Sequence, residues 1–251
     1  MSESTAPTHY YADRKEKLLK DLGVLFNSAH RILPAHAKAS EVPAILDDTR
    51  QGFGDMLAQL PDLGGDRNLF NSSIVAGVAA LAYIRALESR GLPSASIYKS
   101  LYGIYFDAYS SLPGLVKAAL RWFEFSGAHM RQLKAFAYWT QQRAHPENYV
   151  VQFISGDGRS FDFGFDVTEC ALVKFYGRLH AEEHLPYVCI GDFAASCALK
   201  TGLRRTTTIS NGAAICDFRY GRKRDTLSGL PLEQLPEYSS RRAASQPRPT
   251  A

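Results

Sequence analysis

The chain has 251 residues, 29 basic and 25 acidic, for a formal net charge of +4. Hydrophobic residues make up 45% and aromatic residues 12%, which excludes a wholly disordered chain and leaves one large domain or two small ones with ample core. So small a charge is no argument for a nucleic-acid partner, and no run of about 18 apolar residues is present to span a membrane.

Residues 1–12 read as a disordered arm; Met1 to His9 is polar and lacks the apolar segment of a secretory signal. Residues 13–146 read as a helical region. Apolar residues from Arg14 to Ile32 fall at helical spacing, and Pro34 ends the run. A second helix follows the cap candidate Ser40, with Pro43 in its first turn, and reaches Leu60. A third spans about Leu69 to Ser89 and stops at Gly91 and Pro93. Ser94 caps a fourth, ending near Ser110, and a fifth runs from about Leu115 to Arg143 with a kink near Gly127.

After Pro146 the period changes. Residues 147–222 read as an α+β region. Tyr149 to Ser155, the Gly156-Asp157-Gly158 turn and the alternating Phe161, Phe163 and Phe165 predict a β-hairpin. Thr168 is a cap candidate for a short helix, Pro186 interrupts it, and a further helix spans about Asp192 to Lys200. Asn211-Gly212 between Leu203–Ser210 and Ala213–Tyr220 predicts a second hairpin. Residues 223–251 read as a flexible basic tail. The expected fold is α+β: an N-terminal helical bundle, then a small antiparallel sheet of two hairpins with short helices between them.

Chemistry concentrates in the last third, where all four cysteines lie, at 170, 189, 197 and 216. This clustering suggests a site in a cytosolic chain rather than a disulfide framework. A two-residue turn pairs Thr207 with Cys216 and Arg205 with Phe218. Leu203, Arg205, Thr207, Ile209, Cys216, Phe218 and Tyr220 then share the more apolar face, and Arg204, Thr206, Thr208, Asp217 and Arg219 the other. A one-residue slip would exchange the faces. A buried Arg205 needs an anionic partner, which a core carboxylate or a ligand can supply. Cys170, two residues past Thr168, would sit in a first helical turn that favours a thiolate, although Glu169 opposes it and a packed, inert thiol fits equally well. Cys189 lies three residues before Asp192, which also reads as a plain N-cap. Cys197, among alanines, reads as a small core residue. His180-Ala181-Glu182-Glu183-His184 matches the H-x-x-E-H zinc-peptidase pattern, but Pro186 truncates the helix it needs. No metal and no cofactor are expected.

Four blocks carry a resemblance. They are Thr168-Glu169-Cys170; Leu185 to Asp192, containing C-x-x-D; Leu203 to Gly212, containing R-T-x-T-x-x-x-G; and Cys216-Asp217-Phe218-Arg219-Tyr220. In this order they resemble the L-2-amino-thiazoline-4-carboxylic acid hydrolase family, over about residues 149 to 221. The Tyr83-Ile84-Arg85-Ala86-Leu87 stretch also looks similar. Ala171 stands where the family usually has Pro. The resemblance implies hydrolytic opening of a small cyclic C=N substrate; for the namesake, water adds to the amidine-like ring carbon and N-carbamoyl-cysteine results. It further implies Cys170 or Cys216 as nucleophile, Asp192 as base or orienting group, Arg205 as anchor for a substrate carboxylate, and Thr206, Thr208 and Cys189 as further substrate contacts.

Two function classes follow. One is a cytoplasmic, thiol-dependent hydrolase of non-peptide C–N bonds acting on a small, anionic substrate, with no nucleic acid or membrane partner and a homodimer left open. The other is a small-molecule binding or sensor module without turnover, whose helical half pairs two copies. A zinc peptidase is the minor third.

Overall fold

The computed structural model describes residues 10–226 and Leu235. Seven helices come first: α1 (Lys15–Asp21), α2 (Gly23–Ile32), α3 (Val42–Leu57), α4 (Asn71–Glu88), α5 (Ser94–Ser110), α6 (Gly114–Glu124) and α7 (Gly127–Gln141). Strands β1 (Val150–Ser155) and β2 (Phe163–Glu169) follow, then α8 (Ala171–Arg178), α9 (Leu185–Cys189), α10 (Gly191–Leu199) and β3 (Cys216–Tyr220). Among the described residues no helix is long and apolar enough to cross a membrane.

The α+β class is as expected, with several boundaries shifted. The first predicted helix is two, broken at Leu22, and the fifth is two, separated at Phe125–Ser126, where the Ser126 hydroxyl caps the His129 N–H at 3.1 Å. Ser40 lies in a 3₁₀ turn ahead of α3 and caps nothing, and Ser94 is the first residue of α5. Pro186 opens α9 in its first turn, where a missing N–H costs no bond. Tyr11, assigned to the arm, is 2% exposed, and its hydroxyl donates to Asn71 Oδ1 at 2.7 Å. Residues 1–9 and most of the tail lie outside the described residues; Leu235, within the tail, is buried.

One core joins the helical and strand regions, with α5 packed on α10 and α7 on β1. Helix α4 is apolar nearly all round and is buried accordingly. At Gly77 an added Cβ would come within 2.3 Å of Leu172, so glycine lets α8 close on α4; there Tyr176 donates to the Gly77 carbonyl at 2.7 Å.

Helix α6 is arranged the other way round. Its Lys117, Arg121 and Glu124 are half-buried, whereas Leu115 is 87% and Trp122 74% exposed. The positions i, i+4 and i+7 place the three charged residues on one stripe, and that stripe faces inward. Lys117 Nζ donates to the Ser110 carbonyl at 2.8 Å and Arg121 Nη2 to the Arg222 carbonyl at 2.5 Å, satisfying the C-terminal turn of α5 and the segment after β3.

The sheet is antiparallel in the order β1-β2-β3. Phe165 lies opposite Phe153 and Phe218, and Val167 opposite Cys216. Phe163 stacks on Tyr220 and Phe165 on Phe218, with centroids 5.0 and 4.7 Å apart, which fixes β3 on β2. The second hairpin does not form as a ladder. Arg204 and Arg219 exchange N–H···O bonds of 2.8 and 2.9 Å, in the register that sets Arg205 opposite Phe218. Beyond that bridge the Asp217 carboxylate captures the Thr206 and Thr207 N–H groups at 2.8 and 2.6 Å. Residues 209–211 make a 3₁₀ turn capped by Thr208, and Gly212 follows at φ 89°. Side-chain acceptors thus replace the strand partner that the Asn-Gly signal implied.

Candidate active site

The sheet's inward face, the starts of α8 and α10, and the inner sides of α4 to α7 enclose a cavity of about 490 Å³. Cys170, Cys189, Asp192, Arg205 and Cys216 line it together, so residues from all four sequence blocks meet at one space.

Arg205 anchors the strand side. It is 1% exposed, and its guanidinium lies between the rings of Phe193 on α10 and Phe218 on β3, 5.0 and 4.9 Å from their centroids. Its Nη1 donates to Asp192 Oδ2 at 2.7 Å and its Nη2 to the Cys189 carbonyl at 3.0 Å. Two ring faces and a carboxylate let a full charge sit inside the core. Asp192 lies in the first turn of α10 rather than at its cap and is 42% exposed toward the cavity. Burial raises its pKa and Arg205 opposes the rise, so Asp192 is a carboxyl whose ionisation is harder than in water yet stabilised by a neighbouring cation.

The thiols differ in access. Cys170 occupies the N-cap position of α8, half-buried, because β2 runs on through Thr168 and Glu169; Thr168 is a strand residue whose hydroxyl bonds the Val150 carbonyl at 3.3 Å, not the cap. Burial pushes the Cys170 pKa up to about 12, against the Val173 and Leu172 N–H groups at the helix start. The expected thiolate-favouring turn is therefore present, and desolvation outweighs it. Cys216 is 7% exposed and held on both sides: its Sγ accepts from the Ile209 N–H at 3.2 Å and donates to Thr208 Oγ1 at 3.5 Å. Burial raises the pKa of Cys216, and of Cys189 beyond it. In all three, burial disfavours the thiolate.

Thr206 and Thr208 are not brought to the cavity. Thr206 is exposed, its Oγ1 bonded to Asp217 Oδ2 at 2.5 Å; Thr208 is fully buried beneath Cys216, on the side opposite to that expected, because the 3₁₀ turn ends the alternation. Cys197 on α10 lies away from the cavity lining. His180 sits in the turn after α8 at φ 50°, and His184 is buried with Nδ1 2.9 Å from the Tyr98 hydroxyl, so the two do not share a helix face as an H-x-x-E-H zinc site requires.

Three lining residues were not singled out in the sequence. Tyr149 is 5% exposed, and its hydroxyl has no hydrogen-bond partner among the described residues, although it lies near enough to Cys170, Cys189 and Asp192 to feel their charges. Glu124 ends α6 facing the cavity, with Oε1 3.9 Å from Nε2 of His129 on α7. Burial pushes the Glu124 pKa up to about 7 and the His129 pKa down.

Apart from α4 and α5, the elements that supply these walls lie between α6 and β3 in the chain. Residues 113–220 match the family model for L-2-amino-thiazoline-4-carboxylic acid hydrolase. The match bears out the resemblance carried by the four blocks, and it reaches further back, taking in α6 and α7 with Glu124 and His129. The family's name is that of a hydrolase. No curated protein and no solved structure is significantly similar to the chain.

Proposed function

We propose that the chain is a hydrolase that opens a small cyclic C=N substrate of the 2-amino-thiazoline-4-carboxylate kind in this cavity, with Cys170 as nucleophile. The observation that carries the reading is the meeting of Cys170, Asp192 and Arg205 on one cavity of small-molecule size. Cys170 is preferred to Cys216 because it is a partly buried residue of the cavity lining, whereas Cys216 is nearly enclosed and bonded to Ile209 and Thr208.

The chemistry follows from the charges. A thiol pushed up to about 12 by burial favours its protonated form, so its proton must leave as the bond forms. Asp192, oriented by Arg205, is the acceptor. The sulfur adds to the ring carbon between nitrogen and sulfur, the carbon–sulfur ring bond breaks, and Asp192 returns the proton to the departing substrate sulfur. Water then adds to the same carbon and releases Cys170 as a thiol, leaving N-carbamoyl-cysteine; one water is consumed in all. The Tyr149 phenol, held protonated by burial, is a hydrogen-bond donor to charge developing on the reacting centre. Arg205, already bound to Asp192, attracts the substrate carboxylate to the same wall.

The test is incubation of the intact chain with 2-amino-2-thiazoline-4-carboxylate, following the new free thiol by a colorimetric reagent and the product by NMR. One thiol per ring consumed, lost in Cys170→Ser, is the expected result. Burial of the thiols, which disfavours the thiolate, is what favours the second reading, a binding or sensor module. That reading predicts saturable binding of the same compound with no thiol released.

A further inference from the structure

The inward stripe of α6 carries three charged residues, and two of them have a structural use. Lys117 and Arg121 bond backbone carbonyls; Glu124 accepts no hydrogen bond among the described residues. Its side chain is 29% exposed and lines the cavity. The groups that face it supply no firm countercharge. His129 on α7 stands 3.9 Å away, between the Phe123 and Phe163 rings, and burial lowers its pKa toward the neutral imidazole. Tyr109 on α5 and Tyr220 on β3 feel its charge and are phenols kept protonated by burial. Arg121, on its own helix, is turned to the Arg222 carbonyl. Arg205 on the far wall bonds Asp192 and does not offset the cost of burying Glu124.

A half-buried carboxylate aimed into an open cavity without a partner costs free energy that an apolar side chain would not. The cavity therefore has two poles: Arg205 with its carboxylate neighbour on the strand side, and an unmatched acid on the α6 side. We propose that Glu124 is a cation-binding pole that selects substrates whose ring is a protonated, amidine-like cation, held between Glu124 and the wall that carries Arg205. The inference rests on the hydrolase reading and names the charge form of its substrate. A protonated cyclic amidine offers two N–H groups in one plane, the fork that a carboxylate accepts. Because burial holds the carboxyl near neutrality, the arriving cation expels a proton from Glu124.

Two probes of similar size separate the claims in calorimetry on the intact chain: 2-amino-2-thiazoline-4-carboxylate, with a protonated ring, and 2-oxothiazolidine-4-carboxylate, with a neutral one. Glu124→Gln is expected to weaken the amino probe about 10- to 100-fold while leaving the oxo probe within roughly twofold. At pH 6.5, in buffers of different ionisation enthalpy, wild type releases protons on binding the amino probe and Glu124→Gln does not. If Glu124→Gln fails to fold, Glu124→Asp carries the test: the shortened acid still releases protons but binds the amino probe alone less well. Unchanged binding of the amino probe, or equal loss of both probes, overturns the pole. Turnover of the amino probe with Glu124-independent affinity sinks the pole and leaves the hydrolase reading standing. Glu124-dependent binding without turnover does the reverse, and a wild type that binds neither probe ends both.

Discussion

On the strand side of the cavity Arg205 is enclosed by two aromatic rings and lies 2.7 Å from Asp192; on the α6 side Glu124 faces the same space with, among the described residues, a histidine whose charged form burial disfavours, at 3.9 Å. The first wall has matched its charges in the fold, and the second has left one unmatched. The paired wall can hold its geometry with nothing bound, which suits groups that must orient a thiol and a proton. The unpaired wall is costly when empty and gains most from a ligand. From that contrast, substitutions in the Arg205–Asp192 pair should damage chemistry and stability together, and removal of the α6 acid should weaken ligand binding while making the protein more stable.

The largest expected effect is on chemistry. Cys170→Ser should lower turnover of 2-amino-2-thiazoline-4-carboxylate by about 1,000-fold or more with the circular-dichroism spectrum and melting temperature little changed. Cys216→Ser should cost far less, since its sulfur serves Ile209 and Thr208 rather than the open cavity. Equal losses in the two would remove the reason for preferring Cys170. Arg205→Ala comes next. It strips the partner from Asp192 and leaves a gap between Phe193 and Phe218, and a loss of about 3 kcal/mol in urea unfolding is expected. Arg205→Lys should not restore it, because an ammonium cannot bond Asp192 and the Cys189 carbonyl through one planar group while stacking between rings.

How far the sequence reveals this site follows the same division. Cys170, Asp192, Arg205 and Cys216 stand in blocks whose order can be recognised, and the alternation through Arg205 and Phe218 gives the register of the one bridge that forms. Thr206 and Thr208 go astray because Asp217 and a 3₁₀ turn take over the backbone donors, a competition between side chain and ladder that periodicity does not register. Glu124 is hidden for a different reason. A helical wheel of α6 shows a narrow charged stripe and a broad apolar face, and the usual rule turns the stripe outward. Here the stripe has carbonyls and a cavity to serve and turns inward. Tyr149 opens a β-branched, aromatic run and reads as core; only its unbonded hydroxyl, visible in three dimensions, marks it as part of the site.

Glu124 also gives the comparison a signature in stability. Its carboxyl titrates near 7 in the folded chain and near 4.5 when unfolded, so between those values the folded state binds more protons and stability falls as pH rises. Above about pH 8 the loss is complete, and it is on the order of 3 kcal/mol. Glu124→Gln removes this cost: it should stabilise the chain at pH 8 by about that amount and change it little at pH 5. Urea midpoints at the two pH values measure it. A variant that is equally destabilised at both would show that Glu124 has a structural partner after all.

The smallest effect belongs to the outer face of the same helix. If α6 is held by its inward charged stripe, its outward apolar residues should contribute almost nothing to folding of the single chain. Trp122 is 74% exposed, so Trp122→Ala should shift stability by no more than about 0.5 kcal/mol. Phe193→Ala, at a residue with no exposed surface and the Arg205 guanidinium against its ring, should cost about 3–5 kcal/mol. Dilute-solution unfolding is the measurement, at a chain concentration low enough that midpoints no longer depend on it. A Trp122→Ala loss that persists on dilution would mean that the outer face packs within its own chain. The inward stripe would then not be what holds α6, and the placement of Glu124 would need another cause.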